Sequence, residues 1–291
     1  VDSATADSAA SEEAAAEPYT VDAEETVSPA TATPSEDGSS ITYSNIDLTD
    51  AASYTVDASA NSDFYNGLSS IDITMVYKVN TVSSTEQTLF SLQGPGEQFI
   101  TFYQIPTTGK IGWRQKLAGA NKSTGGFSKS LKADDSAYHK ISVQFYNDNG
   151  NGRTRVVYDG TDVNGFTGTG YHDAGYCHAI SSLVDSSNAN AWNLSKILFG
   201  KKTTNADGVN FSDLSGDIRY VKVSKTAYAD YDALKNAHTA VDASLLSSFN
   251  NTKTTAQQKV DAGAEQYTES SFQALNNALT EANSTDTTKD W

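Results

Sequence analysis

The sequence predicts a mainly β protein: a two-sheet antiparallel sandwich or jelly roll, followed by a small C-terminal α-helical unit and preceded by a disordered acidic leader. Three observations carry that prediction. Charge is spread unevenly along the 291 residues, apolar residues alternate with period two through the middle of the chain, and the period becomes helical after residue 225. The resulting division is 1–40 leader, 41–225 β domain and 226–291 helical unit.

The leader is defined by what it lacks. Residues 1–40 hold ten acidic side chains, no basic ones, three of the five prolines and one aromatic, Tyr19. Such a segment cannot bury enough apolar surface to offset its ordering entropy, so disorder is expected. There is no initiator Met and no basic-then-apolar signal, so Val1 reads as a mature or trimmed start. The whole chain carries 36 acidic against 20 basic residues, a net charge of −16. That balance argues against nucleic acid as a partner, because phosphate binding needs a basic surface. No apolar run reaches the roughly 18 residues needed to span a bilayer, so no membrane insertion is expected. A single cysteine, Cys177, excludes an intrachain disulfide.

The middle region is nearly neutral, 17 acidic against 16 basic, and holds almost all the glycine. Its clearest strand is Ser70–Asn80, with Ile71, Ile73, Met75, Tyr77 and Val79 on one face and Asp72, Thr74 and Lys78 on the other. Similar runs occur at Thr88–Leu92, Gln98–Ile105, Lys110–Lys116, Lys140–Tyr146, Thr154–Asp159, Lys196–Gly200 and Gly216–Ser224. Turn residues separate them: Gly94-Pro95-Gly96, Thr107-Thr108-Gly109, Asn147 through Gly152, Asp159-Gly160 and Asp207-Gly208. Short strands with this punctuation make a sandwich or jelly roll, with a barrel as the competing architecture.

After residue 225 the spacing changes. Tyr228, Tyr231 and Leu234 lie at helical intervals, as do Val241, Leu245, Phe249 and Val260, and then Phe272, Leu275, Leu279 and Ala282. Ser270 with Gln273 predicts a capping box before the last stripe. Three helices packed together are expected, because none hides its stripe alone. The ragged end at Asp286–Trp291 reads as a cut from a larger protein.

Several of these runs resemble a known family. Ile71–Lys78, Leu89–Leu92, Gly109–Arg114, Tyr138–Val143, Val156–Gly160, Phe199-Gly200 and Leu214–Val223 are similar to the concanavalin A-like lectin/laminin G jelly roll. That module accompanies bacterial sialidases and other mucin-active glycosidases. Tyr267–Phe272 with Leu275, Ala278-Leu279 and Ala282 resembles the FIVAR helical repeat of Gram-positive surface proteins. The resemblance implies an extracellular bacterial protein, secreted or cell-wall attached, acting as a monomeric carbohydrate-binding module of a larger glycosidase. Its implied partners are glycans ending in sialic acid or galactosides.

Catalysis is not written in the local motifs. Relatives of this fold that hydrolyse β-glucans carry Glu-x-Asp-x-x-Glu on one strand, and residues 41–225 contain no such triplet. The adjacent carboxylates Asp134 and Asp135 are expected to point apart in a turn, although a non-local carboxyl pair stays open. Ser35-Glu36-Asp37-Gly38 lacks the Thr-Trp that completes a sialidase Asp-box. Cys177 beside His178, and His172 with Asp173 and His178, read as loop and surface residues rather than a nucleophile or a transition-metal site. The expectation is no cofactor, or else calcium, with Asp57 and Asp63, or Asp148 with Asn149 and Asn151, as ligands. The latter group lacks the distal glutamate of an EF-hand loop and also fits a polar hairpin turn.

Sugar recognition needs an aromatic face, planar hydrogen-bonding groups and, for an acidic sugar, an arginine fork. If Ile111 and Trp113 point into the core, Arg114 projects from the opposite face, which in the resembling family is the ligand face. Arg155 and Tyr158 join it by the family's strand order. Tyr171 and Tyr176, with Phe166 in the same glycine-rich loop, are the alternative stacking rings. A structural or adhesive spacer that binds no glycan is the competing function, and an enzyme is third.

Overall fold

In the computed structural model of the chain the described residues are 30–65, 68, 70–94, 98–116, 123–130, 132–148, 151–163, 194–203, 211–241, 243–285 and 287. They form two facing sheets. The first runs in the order β1 (Thr31–Pro34), β2 (Ser40–Ile46), β14 (Gly216–Ser224), β4 (Ser70–Val79), β9 (Tyr138–Asp148), β10 (Asn151–Tyr158), β11 (Thr161–Asp162). The second runs β3 (Thr55–Asp57), β12 (Lys196–Phe199), β5 (Glu86–Gln93), β6 (Phe99–Ile105), β7 (Lys110–Lys116), β8 (Ser123–Ser130). A short β13 (Phe211–Ser212) pairs parallel to β5, and every other pair is antiparallel. Helices α1 (Ala51–Tyr54) and α2 (Ser62–Tyr65) lie between β2 and β4, and α3 (Tyr231–Thr239), α4 (Ala243–Asp261) and α5 (Glu269–Ser284) follow the last strand.

The alternation in β4 sets the core. Ile71, Ile73, Met75, Tyr77 and Val79 all enter it. The opposite row, Asp72, Thr74 and Val76, is buried as well, because this strand lies mid-sheet and its outer face is covered. Between the sheets Phe90 stacks on Phe102 with centroids 5.3 Å apart, and Phe145 from the first sheet meets both edge-on at 6.2 and 6.4 Å. Such offset and T-shaped rings add to the area they bury. A polar link crosses the core: the Tyr77 hydroxyl donates to Gln104 Oε1. Gly216 is required by packing, since a Cβ there would stand 1.9 Å from the Lys78 carbonyl oxygen on β4.

Each strand expected from alternation is present, with ends moved by a few residues. Strands without an alternating apolar pattern were not legible. In β1 all four side chains are exposed, as suits an edge strand ending in proline. β8 is mostly Ser, Thr and Gly with no apolar alternation, and β3, β11 and β13 span two or three residues. One consequence is a correction to the leader. Thr31–Pro34 pairs in register with Ile41–Ser44, so order begins well before residue 40. The Ser35–Gly38 motif is the turn of that hairpin. Asp37 accepts hydrogen bonds from Ser35 Oγ and from Ser39 N and Oγ, which lower its pKa to about 2.

The β10–β11 turn follows its sequence. Asp159 and Gly160 both have positive φ, 46° and 73°, between paired Tyr158 and Thr161. This is the two-residue hairpin geometry that Asp-Gly favours.

The three helices exist, but the first is buried against a different surface than expected. α3 packs on β9, β10 and β11 with Leu234 and His238 buried, while α4 and α5 pack on each other. Periodicity reveals a buried stripe without saying what buries it. The cap of α5 also differs: Thr268 is the N-cap, its hydroxyl accepting from Ser271 N at 3.2 Å, so the Ser270/Gln273 box does not form. Leu279 is buried and Leu275 only half-buried. Leu279→Ala should therefore cost about 2–3 kcal/mol and Leu275→Ala clearly less. Chemical denaturation followed by far-ultraviolet circular dichroism checks this, and equal costs would contradict the packing described.

Candidate functional site

Arg114 lies where alternation places it. Ile111, Trp113 and Gln115 of β7 are buried, the first two within the core, and Gly112 and Arg114 occupy the outer face of the second sheet. Across that face Arg114 is paired with Thr101 of β6, and Thr101 with Ser91 of β5. Ser91 and Thr101 hydroxyls bond at 2.9 Å, and Ser91 Oγ donates to the Lys201 carbonyl at 2.7 Å. Above this polar floor the guanidinium lies 5.7 Å from the Tyr103 ring centre. Its Nη2 donates to both oxygens of Glu86, at 2.9 and 3.0 Å. Both partners are partly shielded, with 25% and 15% of their side-chain surface exposed. Arg114 Nε is buried without a hydrogen-bond partner.

Glu86 and Tyr103 had no sequence signal as site residues. Glu86 is 28 positions from Arg114, and only the sheet brings them together.

The structure does not bring Arg155 and Tyr158 to Arg114. Both belong to β10, in the first sheet, so strand order places them on the far side of the core. They also face opposite ways, being three residues apart on one strand. Tyr158 points inward and is 2% exposed, so it offers no stacking face. Arg155 is on the outer face, over the Tyr146 ring at 4.1 Å. Its Nη1 donates to Gln144 Oε1 and the Tyr228 carbonyl, and its Nη2 to the Ala229 carbonyl. It thus fastens the chain that leads into α3. Tyr171, Tyr176, Phe166, Cys177 and the pair His172 and His178 lie outside the described residues.

Of the carboxylates considered for calcium, Asp57 Oδ1 accepts from Ser59 N, Ser59 Oγ and Ala60 N, capping a short helical turn. Asp63 sits in the first turn of α2. Asp148 ends β9 and pairs with Asn151 across the hairpin, and Asn149 lies outside the described residues. Among the described residues no three His, Cys, Asp or Glu side chains gather around one point.

Two histidine clusters escaped the sequence reading. His139 Nδ1 meets Asp159 Oδ2 at 2.8 Å and its Nε2 meets Asp135 Oδ1 at 3.0 Å. Burial depresses the His139 pKa, but the two carboxylates outweigh it and the net shift is upward. The neighbouring Asp134 pairs instead with Lys132 at 3.5 Å. The second cluster lies under α3. Gly160 N–H donates to His238 Nε2 at 3.0 Å, so the imidazole hydrogen is on Nδ1, which donates to Ser142 Oγ at 2.9 Å. Ser142 and Thr74 hydroxyls are 2.6 Å apart, and Thr74 Oγ1 donates to Asp72 Oδ2 at 3.2 Å. The Gly160 amide can only donate, which fixes the His238 tautomer and the direction of its bond to Ser142.

No protein-family model matches the chain, and no curated protein matches it. Among solved structures it is similar to the CBM40 module of the Ruminococcus gnavus intramolecular trans-sialidase bound to alpha2,6 sialyllactose. The identity is 15%, over 63% of this chain and 92% of that one, with a TM-score of 0.42. The leech intramolecular trans-sialidase complexed with 2,7-anhydro-Neu5Ac is 18% identical over 64% of this chain and 27% of its own, with a TM-score of 0.41. Domains LG4-5 of the mouse laminin alpha1 chain are 11% identical over 54% of this chain and 35% of theirs, with a TM-score of 0.31.

The path from His238 to Asp72 gives the fold a pH signature. Burial, with the Lys140 charge behind it, lowers the His238 pKa to about 3. Burial raises that of Asp72 to about 7, against the Thr74 hydroxyl and the charges of Lys222 and Lys140. The unfolded chain therefore binds a proton at His238 below pH 6.5 that the native state refuses, which weakens the fold as pH falls. The native state holds a proton on Asp72 from the ordinary aspartate pKa up to about 7, which weakens the fold as pH rises. Each slope is about 1.4 kcal/mol per pH unit and they oppose one another between roughly pH 4 and 6.5. Asp72→Asn should therefore lose stability, relative to the parent, as pH falls from 6.5 to 4. His238→Gln should lose it as pH rises from 4 to 7. Melting temperatures across pH 4–7.5 test both, and variant profiles parallel to the parent would refute the linkage.

Proposed function

We propose that the chain is a non-catalytic carbohydrate-binding module that reads the carboxylate of a terminal acidic sugar, sialic acid, through Arg114, and takes neutral galactosides as weaker ligands. The carrying observation is the state of that side chain: outward on the second sheet, anchored at Nη2 by Glu86, with a buried Nε–H unpaired. The quarter of its side-chain surface that stays exposed beside Glu86 can meet a sugar carboxylate in a charge-assisted hydrogen bond. Arg155 differs, because its two Nη atoms are committed to three acceptors under the chain.

Affinity should be weak, micromolar to millimolar. Glu86 already offsets the guanidinium charge, and a chain of net charge −16 gains nothing at long range from an anion. The resemblance of the sandwich to sialidase-associated jelly rolls and of the tail to the FIVAR repeat supports an extracellular setting beside a larger glycosidase. A spacer role is the second reading. It is favoured by Arg155, which ties the exit of the sandwich to Tyr228 and Ala229 and so fixes where the helical segment begins.

Titration with sialyllactose against lactose decides between them. The module should prefer the acidic sugar, and Arg114→Ala should weaken binding about ten- to a hundredfold, the loss of one charge-assisted contact of roughly 1.5–3 kcal/mol. Arg114→Lys should recover little, because lysine lacks the planar fork. Equal affinity for the two sugars would overturn carboxylate recognition, and no binding of either would favour the spacer.

A further inference from the structure

We propose that the outer face of the first sheet carries a second recognition surface, centred on Arg219, Tyr138 and Lys78, for a polysaccharide bearing carboxylates along its chain. It lies across the core from Arg114 and does not depend on that site.

The backbone is irregular where this surface forms. Register between β14 and β4 slips between Ile218 and Tyr220, leaving Arg219 as the extra residue of a β-bulge. On the other flank β2 carries Asn45 in the left-handed region, φ 55°. A bulge breaks the alternation: Ile218 and Val221 both enter the core, and Arg219 and Tyr220 both fall between them. Bulges commonly re-aim a side chain, and this one turns an arginine outward.

The side chains around it are set by register. Asp217, Lys78 and Tyr138 stand in one row across β14, β4 and β9. The Arg219 guanidinium carbon lies 4.0 Å from the Tyr138 ring centre, and Lys78 Nζ lies 5.3 Å from the same centre. Asp217 accepts from Lys78 at 3.0 Å and from Asn80 Nδ2 at 3.2 Å. Two cations thus share one ring against a single carboxylate, a local positive excess on a protein of net charge −16. Arg219 is exposed, and a guanidinium stacked on a ring keeps its N–H edges available for a carboxylate. The Asn80 amide and Asp217 carboxylate beside it are the planar groups that bond sugar hydroxyls. Together they favour an acidic sugar chain over a bare anion. At this end of the sheet Asp217 and Arg219 are exposed, which suits a polymer lying across it.

Polygalacturonate is the probe, with its fully methyl-esterified form as the neutral control, titrated against the whole chain at low salt. Arg219→Ala should weaken polygalacturonate binding about tenfold, more than Arg114→Ala does, and Arg219→Lys should restore it only in part. The ester should bind at least tenfold more weakly than the acid. Because Arg219 is exposed, the melting temperature of each Arg219 variant should match the parent, so lost binding would not reflect lost folding. Unchanged binding by Arg219→Ala, equal binding of acid and ester, or no binding of polygalacturonate by the parent would each overturn the proposal. Loss in Arg114→Ala with none in Arg219→Ala would assign acid recognition to the other sheet, overturning this site while leaving the sialyllactose reading intact.

Discussion

Side-chain alternation along the central strands is the constraint from which the rest follows. With Ile111 and Trp113 packed into the core, Arg114 has no choice but the outer face of the second sheet. The same rule puts Arg155 on the outer face of the first sheet and Tyr158 between the sheets, and so separates three residues that composition alone would group. A one-residue slip in β7 would bury Arg114 and expose Trp113, an exchange far too costly to be populated. Where the chain needs a side chain elsewhere, it breaks the alternation with a bulge, as at Arg219.

Both central layers are covered on their outer as well as inner faces, and that explains the buried polar groups. Asp72, Thr74 and Ser142 on the first sheet are shielded from water, with α3 packed on the neighbouring strands. They remain tolerable because His238, its tautomer fixed by the Gly160 amide, enters the hydrogen-bonded path. The hairpin turn at Asp159-Gly160 therefore has three roles. It closes β10 on β11, its carboxylate holds His139 and Lys140 N, and its amide orients His238. A small turn that sequence marks clearly proves to be the junction between sandwich and helix.

The legible part of this molecule was the part whose signals are local. The Ser70–Val79 strand, the Lys110–Lys116 strand and the Asp-Gly turn each state their structure within ten residues. Arg114 was legible for the same reason, since its outward placement needs only its neighbours in sequence. What surrounds it was not: Glu86 and Tyr103 arrive from other strands, and no local pattern pairs them with residue 114. The edge strand Thr31–Pro34 was hidden because its stability comes from backbone pairing with β2, and none of its side chains is buried. The stripe of α3 was visible, but the partner of its His238 lay 96 residues earlier in the chain, at Ser142.

Arg114 is held between two demands. Glu86 keeps the guanidinium ordered and offsets its charge, while a quarter of the Arg114 side-chain surface stays exposed to a ligand. That is a geometry for weak, selective contact with a carboxylate, and it makes the Nε–H group the most direct reporter. The decisive measurement is nitrogen-edited NMR of the arginine Nε–H resonances of the whole chain during titration with sialyllactose. The Arg114 resonance should move with saturation while that of Arg155, fastened to Tyr228 and Ala229, stays in place. Saturable shifts elsewhere with Arg114 unmoved would contradict the assignment of recognition to this face.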